Sequence, residues 1–330
     1  MRDPLAPVQW EKGELWILDQ GKLPARQVWI RCRDDKAVCE VIEDLAVRGA
    51  PLIGIAAAYG VALAAQQEEA TRESILEALE RLEQTRPTGY NLFLDLSRME
   101  QVVRQKGSRY AERTLAEARR IHTEEIARCE AIGNHGKTLL AEGEQVLTYC
   151  NTGALATGGI GTALGVIQKG FLDKKVSHVF VCETRPLAQG ARLTLWELVR
   201  LGIPCTLICD NMVAALMATD EVQRVLVGAD RIARNGDTAN KIGTYMLALL
   251  AADHEIPFHV VAPSTTIDLS IEGGEDIEIE ERDHRELTRS IPGLARLQGY
   301  DVWNPAFDIT PAELIDSFVT ERGMEKPPFK

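Results

Sequence analysis

The chain has no Cys-x-x-Cys pair, and its seven cysteines make an odd count. A disulfide framework and a zinc ribbon are therefore both excluded, and most of these thiols read as small buried side chains in a reducing compartment. Positive charge is also short: 37 Lys and Arg against 49 Asp and Glu leave a net charge of −12. That balance argues against a general surface for nucleic acid or anionic membrane, while leaving room for a small cationic pocket that holds a phosphate. No apolar run approaches a membrane span, and the opening MRDPLAPVQW has no apolar signal core. A cytoplasmic protein is expected, with no nucleic acid and no membrane among its partners. Ser- or Gly-rich linkers, internal repeats and low-complexity tracts are missing too, although 330 residues suffice for two domains.

What is present falls into two rhythms. Residues 14–31 alternate apolar and polar about Asp19-Gln20-Gly21-Lys22, which predicts two short strands, ELWILD and QVWIRC. Helical patterns follow at 35–47, 51–67 and 71–85, then near Asn91, then over a long polar-faced stretch at 109–141. The helix of PLIGIAAAYGVALAAQ is apolar nearly all round and is expected to be buried. From Gln145 the pattern changes to short apolar runs at 146–149, 178–182, 204–209, 224–228 and 257–262, separated by helical segments. Such runs imply a parallel sheet covered on both faces. The expectation is an α/β protein: a mostly helical N-terminal domain with a small β-sheet over 1–125, then a Rossmann-like domain with a parallel sheet covered by helices over 126–330. The acidic stretch 272–282 reads as a solvated loop and edge strand.

The centre of the second rhythm is QVLTYCNTGALATGGIG, residues 145–161, a buried strand that runs into Cys150 and then into a Gly-rich turn opening a helix. In an open α/β sheet this is how a ligand crevice is built, because backbone donors and a helix N-terminus approach an anion closely there. If the strands follow the common order 3-2-1-4-5, the first and fourth are neighbours. Cys150 and Asp230, 80 residues apart, then converge at one switch point. A Cys after a strand also serves plain packing, and an Asp there also forms turns or caps helices.

Arg48, Arg86 and Asn240-Lys241 are the cationic candidates, each beside a predicted helix start and suited to a phosphate monoester. Any one of them alone is more often a surface charge. Gly49 supplies backbone freedom before the Pro51 helix, and Gln189 is either an anchor or a helix cap. Glu183 ends the second strand, where a dinucleotide fold carries its ribose-binding acid, but Gly159-Ile160-Gly161 continues as TALG and breaks the G-x-G-x-x-G spacing. No cofactor is therefore assigned. His254 and His259 have no acidic partner at ligand spacing, so no metal is assigned either.

Taken together, several motifs resemble a known family. They are Arg48-Gly49-Ala50-Pro51, Arg86-Pro87-Thr88 with Asn91-Leu92, Cys150-Asn151 with Gly153 and Ala156-Thr157, Gln189-Gly190-Ala191-Arg192-Leu193-Thr194, and Asp210-Asn211. Gly228-Ala229-Asp230-Arg231-Ile232 with Asn235-Gly236-Asp237, Asn240-Lys241-Ile242-Gly243-Thr244 and Trp303-Asn304-Pro305-Ala306-Phe307-Asp308 follow in order. The set resembles the S-methyl-5-thioribose-1-phosphate isomerases of methionine salvage. Those enzymes belong to a larger group with ribose-1,5-bisphosphate isomerases and the regulatory subunits of the exchange factor for translation initiation factor 2. The resemblance implies a homodimer acting on a small sugar phosphate, with Cys150 and Asp230 as the catalytic pair. It also implies that Arg48, Ala50 through its backbone, Arg86, Gln189, Asn240 and Lys241 hold the substrate, mainly its phosphate. Departures at Gly89-Tyr90 and Phe93, where relatives more often show Ala-Val and Trp, bear on the sugar or methylthio end.

The expected chemistry is an aldose-to-ketose isomerisation, with Asp230 as general acid and proton shuttle, its pKa raised by an apolar wall, and Cys150 acting at C2. Two alternatives stand beside it: an isomerase of ribose 1,5-bisphosphate, and a regulatory subunit that binds a sugar phosphate or nucleotide without turnover.

Overall fold

A computed structural model describes residues 2–86 and 89–330 of the chain. They fall into two compact units, one of Met1–Glu130 with Thr152–Gly161 and the other of Ala131–Asn151 with Thr162–Lys330. The sequence division between 125 and 126 therefore lies close to the first crossing, whereas 152–161, read there as part of the second domain, packs with the first unit.

The first unit opens with a three-stranded antiparallel sheet of β1 (Val8–Glu11), β2 (Glu14–Leu18) and β3 (Trp29–Cys32) in that order. β2 and β3 are the two strands anticipated from the alternation. β1 joins β2 through Lys12 and Gly13, both at positive φ (51° and 84°), the geometry of a tight two-residue hairpin. Four helices follow: α1 (Asp35–Glu43), α2 (Ala50–Ala64), α3 (Arg72–Glu83) and α4 (Tyr90–Arg104). α1 starts where Asp34 accepts the Ala37 N–H, and α3 starts with a capping box between Thr71 and Ser74. From Leu52 to Ala64 every residue of α2 is buried, as its unbroken apolar composition demands.

α4 packs on α2 at Gly54, where an added methyl would meet Asp95 Oδ2 at 2.3 Å. Burial first, then the charge of Glu125, pushes the Asp95 carboxyl up from its ordinary 3.8 to about 7, against the opposing pull of Arg98 and Arg128. Because the folded pKa exceeds the unfolded one, the stabilisation linked to this proton is full below about 3.8 and is lost as pH rises through about 7. Asp95→Asn, neutral at every pH, is expected to flatten the fall in melting temperature between pH 5 and 8. At pH 8 it should be more stable than the parent by about 1 kcal/mol, read by thermal melts across that range. Parallel profiles for the two proteins would contradict this.

Helix α5 (Tyr110–Gly136) is the long polar-faced stretch, and the chain passes from the first unit to the second within it. The second unit is built on β4 (Glu144–Thr148), β5 (Val176–Cys182), β6 (Cys205–Ile208) and β7 (Arg224–Val227). A hairpin of β8 (Arg231–Ala233) and β9 (Thr238–Lys241) comes next, then β10 (Phe258–Val261), β11 (Ile267–Asp268), β12 (Phe307–Thr310), β13 (Ser317–Thr320) and β14 (Gly323–Glu325). The main sheet has the order β14-β13-β10-β7-β4-β5-β6, in which β6-β5-β4-β7-β10 is the expected 3-2-1-4-5 arrangement. All pairs in it are parallel except β13 with β14.

Short helices connect these strands: α6 (Ala154–Thr157), which belongs to the first unit, then α7 (Ala163–Leu172), α8 (Leu195–Leu201), α9 (Val213–Met217) and α10 (Thr244–Asp253). The α/β class, with a small sheet among helices and then a Rossmann-like parallel sheet, is the one read from the sequence. Two features differ from that reading. The strand at 204–209 lies on the sheet edge with Leu207 half exposed. A separate four-stranded sheet, β11-β8-β9-β12, was not anticipated. In the acidic 272–282 stretch Ile277 is buried against Ala233 and Ala239 of that sheet, and Glu281 makes a single bridge to Pro305.

Candidate active site

In the second unit the strand order reverses between β4 and β7: the chain runs outward from β4 through β5 to β6, then returns to β7 on the other side. A crevice opens at such a reversal, beyond the C-terminal ends of the strands. Thr148 pairs with Leu226, so both neighbouring strands end on that side. Cys150 comes two residues after β4, and Asp230 three residues after β7. The Cys150 side chain is buried in the same apolar cluster that Ala229 packs against.

Cys150 has φ +60°, a left-handed backbone that a non-glycine residue rarely holds. Beside it, the end of β5 turns sharply. Thr184 also has positive φ (66°), and the Asp210 carboxylate accepts the backbone N–H groups of Thr184 (2.8 Å) and Arg185 (2.7 Å). Gly190 packs so tightly on β5 that a Cβ would stand 1.8 Å from the Cys182 carbonyl oxygen. It opens a π-helical turn, Gly190–Thr194, which runs into α8, and Gln189 directly precedes it. Gln189 is 3% exposed, yet its Oε1 has no hydrogen-bond partner in the structure. A buried acceptor left open beside a crevice suits a ligand hydroxyl.

The hairpin after Asp230 gathers a second group. The Asp230 N–H donates to the Ala239 carbonyl (2.9 Å), which brings Asn240 and Lys241 back toward it. Buried Asn240 donates to Thr244 Oγ1 (3.0 Å), and Lys241 donates to the Ala306 carbonyl (2.8 Å) with its ammonium 4.6 Å from the Phe307 ring centre. α10 begins at Gly243, at φ +103°, where a Cβ would overlap the Tyr149 hydroxyl at 2.1 Å; that hydroxyl donates to the Ile242 carbonyl (2.8 Å). The first turn of the helix is capped by Asp308, which accepts from Gly243 (2.7 Å) and Tyr245 (3.1 Å). Burial pushes the Asp308 carboxyl up to about 6, against the pull of these N–H groups and of Lys241.

The remaining expected residues lie in the first unit. Arg48 is half buried just before α2; Gly49, at φ +94°, is the N-cap and Ala50 the first helical residue. The chain at Gly49 passes so close to Ala156 of α6 that a Cβ would come within 2.4 Å of its carbonyl oxygen. Gln20 reaches the same short helix, donating to the Leu155 carbonyl at 2.7 Å. Arg86 is half buried ahead of α4, while Pro87 and Thr88 of its motif lie outside the described residues. Cys150 and Gln189 thus share one corner of the second unit, Asp230, Asn240 and Lys241 share its hairpin, and Arg48, Gly49, Ala50 and Arg86 belong to the other unit.

Thr184, Thr194 and Asp308 escaped assignment from the sequence. Asp308 stood only inside a motif, and its partners are 65 and 63 residues away. His259 is buried in β10 between Arg224 (2.8 Å) and Ser317 (2.8 Å), and burial with the Arg224 charge lowers its pKa to about 4. Among the described residues no group of three or more His, Cys, Asp or Glu is arranged to hold a metal ion.

The strand order and the two strand ends are those of a Rossmann-like α/β protein, and the chain belongs to the Initiation factor 2 subunit family, which residues 46–327 match. It is similar to the methylthioribose-1-phosphate isomerase of Thioalkalivibrio sulfidiphilus (strain HL-EbGR7), with 49% identity over 330 residues covering 99% of this chain and 95% of the relative. It is also similar to the 5-deoxyribose 1-phosphate isomerase of Moorella thermoacetica (strain ATCC 39073 / JCM 9320), 48% identical, covering 100% of this chain and 97% of that protein. The crystal structure of 5-methylthioribose 1-phosphate isomerase from Pyrococcus horikoshii OT3 superimposes with a TM-score of 0.89 at 39% identity, over 98% of this chain and 93% of the other.

Proposed function

We propose that this protein is an aldose-ketose isomerase that converts 5-methylthioribose 1-phosphate to 5-methylthioribulose 1-phosphate, a step of methionine salvage. The observation that carries the reading is the pairing of β4 with β7: adjacent parallel strands lead into Cys150 and Asp230 at the same end of the sheet, at its switch point. The name of the Thioalkalivibrio relative, 49% identical over nearly the whole chain, supports this activity, and that of the Moorella relative supports isomerisation of a pentose 1-phosphate with no second phosphate.

The phosphate on the anomeric oxygen prevents simple opening to a free aldehyde. Asp230 would therefore give a proton to the ring oxygen while the bond from C1 to that oxygen breaks. Hydrogen then moves from C2 to C1 as the C2 hydroxyl loses its proton to the Asp230 carboxylate and becomes the ketone. In the enolate route the Cys150 thiolate takes the C2 proton and C1 is reprotonated. In the hydride route the hydrogen crosses directly, and Cys150 shapes and polarises the site. Lys241 and Asn240, with Arg48, the backbone at Gly49 and Ala50, and Arg86, are proposed to bind the phosphate. The open Oε1 of Gln189 is matched to a sugar hydroxyl, since it accepts and an unprotonated phosphate oxygen cannot donate. Positioning by these groups supplies much of the rate. No cofactor enters this scheme.

Among the described residues no helix is long and apolar enough to cross a membrane. Cytoplasmic residence and a homodimer are proposed with the activity. Support for the dimer comes from exposed apolar side chains at Leu207 on β6, Met212 in the turn after it, and Tyr245, Met246 and Leu249 on α10.

The test is a side-by-side assay of 5-methylthioribose 1-phosphate and ribose 1,5-bisphosphate. Turnover of the first with kcat/KM at least about 10²-fold above the second is expected, because a methylthio group requires an apolar subsite and a second phosphate a cationic one. Preference for the bisphosphate, or turnover of neither, would overturn the reading; the latter would favour a regulatory role, which the family name also covers. Substrate deuterated at C2 then separates the two routes, since washout marks proton abstraction and retention at C1 marks hydride transfer.

A further inference from the structure

We infer that Thr184 and Thr194 are positioning residues that clamp the peptide of Cys150 from both sides and so fix the direction of its thiol. The inference rests on the reading of Cys150 as an active-site group and goes beyond it, because neither threonine needs to touch substrate.

The geometry is closed at both backbone groups. The Cys150 N–H donates to Thr184 Oγ1 at 2.9 Å, and the Cys150 carbonyl accepts from Thr194 Oγ1 at 2.5 Å. The two hydroxyls are used in opposite senses on one residue, one as acceptor and the other as donor. The Thr184 hydroxyl donates to the Cys182 carbonyl (3.1 Å), so its oxygen lone pair is directed at the Cys150 N–H. Thr194 receives Asn151 Nδ2 (3.3 Å), and that same amide donates to Glu197 (2.7 Å). Thr184 is 0% exposed, and Thr194 and Glu197 are 1% exposed, so water does not compete for these bonds.

What the clamp holds is a strained backbone. Cys150 sits at φ +60°, and Thr184, which holds its N–H, sits at φ +66°. Left-handed backbone at a non-glycine residue persists only where the surroundings over-determine it, and it collects at functional sites. Here the over-determination is visible in layers. Asp210 holds the turn by accepting the N–H groups of Thr184 and Arg185, Thr184 fixes the Cys150 nitrogen, and the π turn aims Thr194 at the Cys150 oxygen. A relaxed φ would swing Sγ away from its present direction, because Cβ moves with the backbone.

Thr194→Val and Thr184→Val keep the side-chain shape and remove the hydroxyl; Thr→Ser at each site keeps it. The readouts are kcat and KM with methylthioribose 1-phosphate, and the pH profile of Cys150 alkylation by iodoacetamide, followed on the Cys150 peptide by mass spectrometry. The expected result is a kcat lower by about 10- to 10²-fold with KM changed less than about 3-fold, a displaced alkylation profile, and recovery of both in the Ser variants. Lower melting temperature with unchanged kcat and alkylation would mean the hydroxyls only stabilise the fold, and would overturn the inference. If either Val variant fails to fold, the other hydroxyl and the Ser pair carry the same test. Cys150→Ala is assayed alongside to separate the two failures: normal turnover in it discards the reading of Cys150, whereas full loss in it with unaffected Val variants discards only the clamp.

Discussion

Asp230→Asn is expected to lower kcat by at least about 10²-fold while leaving the fold and most of substrate affinity intact, and Cys150→Ala is expected to do the same. The Asn side chain fills the same space and lacks only the proton that the ring oxygen must receive and the C2 hydroxyl must return. The local structure does not depend on that carboxyl for its main-chain bond, since Asp230 enters the hairpin through its N–H to the Ala239 carbonyl. Folding is checked by circular dichroism and melting, and turnover by ketose formation. A loss confined to KM would mean that Asp230 only binds, and near-normal kcat in either variant would remove that residue from the chemistry.

Gly190→Ala should be the most damaging glycine substitution in the second unit. Its methyl would stand 1.8 Å from the Cys182 carbonyl oxygen, a backbone atom that cannot retreat, and 3.0 Å from Thr184 Oγ1. Cys182 is held in register with Ile208 of β6, so relief requires prising apart the end of β5 that carries the Thr184 turn. A loss of at least about 3 kcal/mol is expected from urea unfolding, with the Cys150 corner disordered in the surviving protein. Gly202→Ala is the control. It lies at φ +68° with nothing within 4 Å, so only backbone strain of about 1 kcal/mol applies. Equal costs for the two would show that the close approach at Gly190 is relieved by adjustment.

The sequence exposed the periodic parts of this molecule. Five short apolar runs became five parallel strands, four of them because strands covered on both faces require such runs and the fifth, β6, as a half-exposed edge, and Leu52–Ala64 announced a buried helix by the same unbroken apolar composition. That Cys150 and Asp230 follow the ends of two neighbouring strands was legible because a strand end leaves a residue-level mark and the strand order is the common one. Strands of two or three residues such as β11, β8 and β14 carry too little period to be seen. The pairing of β9 with β12 joins residues about 70 apart and is invisible to any local window. The roles of Thr184 and Thr194 depend on positive φ angles and on a π turn, neither of which composition records. The Asp308 cap needs a helix start and an acid from distant segments to meet.

The course of the chain between the units limits how such a protein is inherited or cut. It leaves the first unit within α5, returns for 152–161 and leaves again, so no single cleavage yields two whole bodies. A fragment ending at residue 130 would keep the Gln20 carboxamide and the Gly49 backbone but lose α6, the segment both of them grip. The helical half is therefore an unfinished object on its own, and gene fusion or truncation has to respect three junctions rather than one.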